Sequence, residues 1–144
     1  MREDPPDAVA RSSRGGIWAA LNFQDAKAGI RFMVEVLGFT AELVVPGETE
    51  GEVVHSQLRW PEGGVIQAAT ANREGNVFSE QPIGAASIYV ITADPAAVYE
   101  RCATAGVDII APLSSPDHDP GGSVFSLRDA EGNLFSFGTY AGES

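Results

Sequence analysis

The chain has 144 residues, 44% of them apolar and 20% charged. That is the balance of a soluble globular protein, with length for one hydrophobic core and hardly for two. Nine basic against twenty acidic residues leave a net charge of −11, which disfavours nucleic acid and anionic membrane surfaces and favours neutral or cationic ligands.

Residues 1–15 are polar, contain Pro5-Pro6 and lack the apolar stretch of a secretory signal; they read as a disordered tail. One domain is expected over 16–140. No run approaches the roughly 18 apolar residues of a membrane span. Cys102 is the single cysteine, so no internal disulfide forms and a cytoplasmic location is expected.

Structure begins near Gly16. Ile17, Ala19, Leu21 and Phe23 alternate with Trp18, Ala20 and Asn22, the period of a strand whose first set seeks a helix and whose second faces away. Asp25 is placed to cap a helix with Ile30, Met33, Val34 and Leu37 on one stripe, ended by Gly38. Strand Thr40–Val45 and an acidic loop over Pro46–Glu52 come next. A hairpin follows, Val53–Trp60 with Val65–Ala69, around Pro61-Glu62-Gly63-Gly64. The segment Asn72–Gly84 reads as a connection, being rich in Gly, Asn and Pro.

The same order then repeats. Ile88 and Val90 alternate with Ser87, Tyr89 and Ile91; Asp94 caps a helix that starts at Pro95, where proline is tolerated. Val98, Cys102 and Ala105 form its inner stripe, and Gly106 ends it. Strand Val107–Ala111, a loop over Pro112–Gly122, and a hairpin of Ser123–Arg128 with Leu134–Tyr140 complete the unit. The offset is constant. Asp94 minus Asp25 is 69, and Leu127-Arg128, Glu131-Gly132 and Leu134-Phe135 lie the same 69 beyond Leu58-Arg59, Glu62-Gly63 and Val65-Ile66. The chain therefore reads as a duplication, modules 16–71 and 85–140, each βαβββ. The expected class is α+β, with two curled mixed sheets placed edge to edge around a cleft and a helix behind each.

Three stretches carry a family resemblance: Asn22-Phe23-Gln24-Asp25-Ala26, Ile30 through Phe39, and Arg128-Asp129-Ala130-Glu131-Gly132-Asn133-Leu134. In these the chain resembles the vicinal oxygen chelate superfamily, which includes glyoxalase I, bleomycin-resistance proteins and extradiol dioxygenases. The resemblance implies four inward positions that hold His or Glu in metal-dependent members. Counting seven back from each capping aspartate gives Trp18 and Ser87; counting five on from Glu62 and Glu131 gives Gln67 and Ser136. None is His, Asp, Glu or Cys. A divalent site needs about three such ligands, so no metal, no cofactor and no catalytic set are expected.

What the resemblance implies instead is the bleomycin-resistance type: a homodimer that holds a small organic ligand, aromatic or cationic, in a groove shared between subunits. The candidate ligand-binding residues are Trp18, Asn22, His55, Trp60, Gln67, Ser87, Tyr89 and Ser136. Two rival readings stand beside it. A lyase, isomerase or dioxygenase-like enzyme would use His55, Tyr89 or His118 for proton transfer, and those side chains would then converge. A regulatory dimer would have its cleft packed solid by Trp18, Tyr89 and Phe125. Cys102 reads as a small buried apolar residue, and Glu48, Glu50 and Glu52 as a solvated face.

Overall fold

The computed structural model describes residues 16–143, so the tail expected over 1–15 lies outside the described residues. Strand β1 (Trp18–Phe23) leads to helix α1 (Ala26–Phe32), where the Asp25 carboxylate accepts the Ala28 N–H at 3.1 Å. The helix widens into a π-turn over Met33–Leu37 and stops at Gly38, whose φ of 103° favours glycine. Met33 and Leu37 are both buried there. Strands β2 (Thr40–Pro46), β3 (Val53–Arg59) and β4 (Val65–Thr70) complete the module. Strand β5 (Ser87–Ile91), helix α2 (Pro95–Thr104), and strands β6 (Asp108–Ser114), β7 (Val124–Arg128) and β8 (Leu134–Gly138) repeat it.

Each module forms one mixed sheet, in the order β1-β4-β3-β2 and β5-β8-β7-β6. Strands β1 and β4 run parallel with Trp18 opposite Val65; β5 and β8 run parallel with Ser87 opposite Leu134. Both registers shift by 69, so the duplication seen in the letters extends to the hydrogen-bonded pairing. Alternation sorts the faces largely as expected: Leu21 and Phe23 are buried behind the sheet, while Trp18 and Ala20 are exposed. Ile17 does not follow. It precedes β1 and is 90% exposed, because the sheet that would orient it has not yet begun.

A second correction concerns how the halves meet. No ladder joins the two sheets edge to edge among the described residues. The modules associate through their helices, their hairpin turns and a shared core instead. Trp60, at the end of β3, is 6% exposed and packs against Phe39 at 5.1 Å and Phe137 at 5.4 Å. Its indole N–H donates to the Ile91 carbonyl of the other module. Arg101 on α2 donates to the Val36 and Leu37 carbonyls at 2.8 and 2.9 Å, which caps the end of the first module's helix. Phe125 and Phe137 stack in the same core with Phe135 beside them. No helix among the described residues is long and apolar enough to cross a membrane.

Candidate functional site

With the helices turned toward each other, the opposite face of each sheet is open, and each carries a hollow. The first hollow, about 360 Å³, lies over β1, β3 and β4, within the size range of small-molecule sites. Asn22, His55 and Gln67 line it, one from each of those strands, because all three occupy positions alternate to the buried stripe. Gln57 places its amide nitrogen 3.1 Å from the His55 Nε2. Beneath them the buried Ser56 hydroxyl donates to the Ala68 carbonyl and accepts the Ala68 N–H, so the floor has no unpaired polar atom.

The far wall is the connection between modules, which the sequence reading treats only as a loop. It contains a short 3₁₀ turn, Val77–Glu80, whose N-cap Asn76 accepts the Ser79 N–H. The Ser79 hydroxyl is buried and ties the Arg73 N–H, the Arg73 carbonyl and the Asn76 carbonyl together. Asn22 reaches across from β1: its amide donates to the Phe78 carbonyl at 2.8 Å and the Gln81 carbonyl at 3.2 Å. The loop is thereby fixed over the sheet, and it brings Arg73, Asn76, Phe78 and Gln81 to the hollow. Sequence reasoning missed these four. The Asn76-to-Ser79 spacing, an N-cap signature, was the available signal.

The second hollow, about 330 Å³, lies on the other sheet and is lined by Tyr89, His118, Ser136 and Tyr140, among others. The Tyr89 hydroxyl donates to the Tyr140 carbonyl at 2.7 Å. Burial, with the Asp119 charge nearby, pushes that phenol above its ordinary range. His118 meets the Tyr140 ring edge-on at 4.8 Å. Ser136 shares a 2.6 Å hydrogen bond with Ser126, and Thr139 donates to the Asp119 carboxylate.

The eight candidate residues thus separate. Asn22, His55 and Gln67 meet in the first hollow; Tyr89 and Ser136 meet in the second. Trp18 and Ser87 are exposed on the open faces but line neither hollow. Trp60 belongs to the core between the modules, because that is where its ring finds aromatic partners and its N–H finds an acceptor. His55 does not converge with Tyr89 and His118 within one chain.

The four positions that the resemblance implies for metal ligands carry an indole, a carboxamide and two hydroxyls, on two separate sheets. Among the described residues no three His, Cys, Asp or Glu side chains come together. This donor set does not fit a divalent ion.

A duplicated βαβββ unit with a helix packed on one face of each sheet and the other face open defines a recognisable class of fold. The chain belongs to the Glyoxalase/Bleomycin resistance protein/Dioxygenase superfamily, whose family model matches residues 17–137. Among solved structures it is similar to TioX from Micromonospora sp. ML1, at 23% identity and a TM-score of 0.71, covering 88% of this chain and all of that one. TnmS3, an antibiotic binding protein from Streptomyces sp. CB03234, matches at 19% identity and a TM-score of 0.59, covering 82% of this chain and 88% of that one. The virulence protein STM3117 from Salmonella typhimurium matches at 25% identity and a TM-score of 0.58, over 85% of this chain and 94% of that one. No curated protein matches the chain significantly.

Proposed function

We propose that the chain is a binding protein for a small, planar organic molecule and works without a metal, by stacking and hydrogen bonding. The observation that carries this reading is the first hollow. Its volume suits a drug-sized ring system, and its lining combines apolar surface with the amides of Asn22 and Gln67 and the His55 imidazole. TnmS3, which shares the fold, is an antibiotic binding protein, and an antibiotic is a reasonable kind of ligand for this chain as well. Residues 16–140 act as one domain in this reading.

The second part of the proposal is a cytoplasmic homodimer. Trp18, Tyr89 and Ile91 are each more than 40% exposed on the open faces, an apolar surface that a second copy would cover. Such a dimer would set the hollow of one subunit against the open face of its partner. His55 lies in the first hollow, apart from Tyr89 and His118 in the second, which favours binding over a proton-transfer set that needs all three within a single chain.

The test is a thermal-shift and calorimetric screen of planar aromatic compounds, with and without divalent metals, on protein whose mass in solution is known. A ligand present at a hundredfold excess over Kd stabilises the fold by roughly 2.7 kcal/mol. The reading requires a dimer, metal-independent binding, and weakening by Gln67→Leu. Binding that depends on a stoichiometric divalent ion would overturn it.

A further inference from the structure

We infer that the first hollow selects an aromatic anion, a carboxylate or phenolate, and that Arg73 is the residue that selects it. The inference rests on the binding reading above and gives the ligand a charge. It runs against the net charge of −11, which by itself favours cations.

The far field and the local field differ here. Exposed charges more than about 10 Å away are largely screened at physiological salt, so the acidic total acts mainly on approach. Inside the hollow no carboxylate lines the wall, and Arg73 is the one permanently charged residue that does. Glu74 and Glu80 flank the loop but are exposed, and neither forms an ion pair with Arg73.

Arg73 is also held in place. Its backbone N–H donates to the Ser79 hydroxyl and its carbonyl accepts from the same oxygen. Its Nε donates to the Thr70 carbonyl at 2.8 Å, which orients the guanidinium plane. The two terminal nitrogens donate to no protein acceptor among the described residues, and they present the fork that matches a carboxylate. Phe78, 78% exposed on the same loop, supplies a ring face for an attached aromatic system. The Gln67 amide lies on a facing strand and adds a donor for a second oxygen. A cation in this space would meet Arg73 with no counter-charge beside it.

Three matched probes test this by calorimetry on the full chain: 2-naphthoate, neutral 2-naphthamide and 2-naphthylmethylammonium. Naphthoate is expected to bind at least about tenfold more tightly than the ammonium compound, and less tightly as salt rises. Arg73→Gln should remove about tenfold of the naphthoate affinity and leave naphthamide unchanged; Arg73→Lys should restore part of it. Phe78→Ala should weaken all three alike, which places them in this hollow. The melting temperature of each variant checks folding, and the lysine variant separates charge from loop structure. If the ammonium probe binds as well as naphthoate, or Arg73→Gln changes nothing while Phe78→Ala weakens all three, the charge assignment falls and the binding reading stands. If none of the probes binds at millimolar concentration, or neither variant affects any of them, the binding reading falls and takes this inference with it.

Discussion

Glu62 and Glu131 do the same work from opposite modules. The Glu62 carboxylate accepts the Ala93 N–H at 2.8 Å, and the Glu131 carboxylate accepts the Gln24 and Asp25 N–H groups at 2.7 and 2.9 Å. Each glutamate sits in the hairpin turn of its own module and satisfies the strand-to-helix turn of the other. Both the donors and the acceptors are related by 69, since 131 minus 62 equals 93 minus 24. The duplicated sequence thus contains a reciprocal clasp that ties each hairpin turn to the strand-to-helix turn of the other module.

Removing the clasp should loosen the halves. Glu131→Ala strands two N–H donors near the surface, and Glu62→Ala strands the Ala93 N–H and the Thr92 hydroxyl; each should cost about 1 kcal/mol. Urea unfolding of each variant measures this. The pH dependence has a definite sign. Hydrogen bonds from Thr92 and then Ala93 hold the Glu62 carboxyl below its ordinary value of 4.5. Its stabilisation is therefore present above about pH 4.5 and lost as pH falls through the lower folded value. The gap between the wild type and Glu62→Gln should shrink on acidification below 4.5, and a gap that widens there would contradict the assignment.

Trp60 should behave as core and not as a ligand contact. Its ring fills the junction between Phe39 and Phe137, so Trp60→Ala should cost about 3–5 kcal/mol. Trp60→Phe keeps most of the packing but loses the bond to the Ile91 carbonyl, and should cost less. In the phenylalanine variant, probe binding at the first hollow should be unchanged. A large loss of affinity with intact stability would return Trp60 to the site.

What the sequence made legible follows from which interactions are local. The capping roles of Asp25 and Asp94, the glycine stops, the period-two strands and the 69-residue repeat depend on near neighbours, and each appears in the letters. The burial of Trp60 and the outward faces depend on how one module packs against the other. A tryptophan at a strand end carries no mark of which side it will face. The hollow was half readable for the same reason. Asn22, His55 and Gln67 follow from strand alternation, but Arg73 and Phe78 reach the site through contacts distant in sequence or internal to the loop: Asn22 donates to the Phe78 carbonyl 56 positions away, and Ser79 and Thr70 hold Arg73.

Cys102 should be inert in the folded protein. It is buried on the inner stripe of α2, and burial, only partly offset by the Arg101 charge, pushes its thiol up to about 11. The thiolate is the reactive species, so at pH 8 an aromatic disulfide reagent should label native protein only as fast as the chain opens. In denaturant one equivalent should react at once. Rapid labelling of the native state would mean that the α2 face is not packed as described.

Asn22 offers the sharpest test of the loop. Its amide is a pure donor toward the Phe78 and Gln81 carbonyls, and it bridges the first strand to the wall of the hollow. Asn22→Ala removes both bonds and leaves the two carbonyls to water, which should cost about 1 kcal/mol and raise amide exchange at Ser79 and Gln81. Asn22→Asp is nearly the same size but has no donor when ionised. It would set a negative charge against two carbonyl oxygens, so it should open the loop more than alanine does and recover toward the alanine value as the carboxyl protonates at low pH. Hydrogen exchange at those two amides distinguishes the cases. Equal exchange in both variants would mean that packing, and not the Asn22 amide, holds the loop over the hollow.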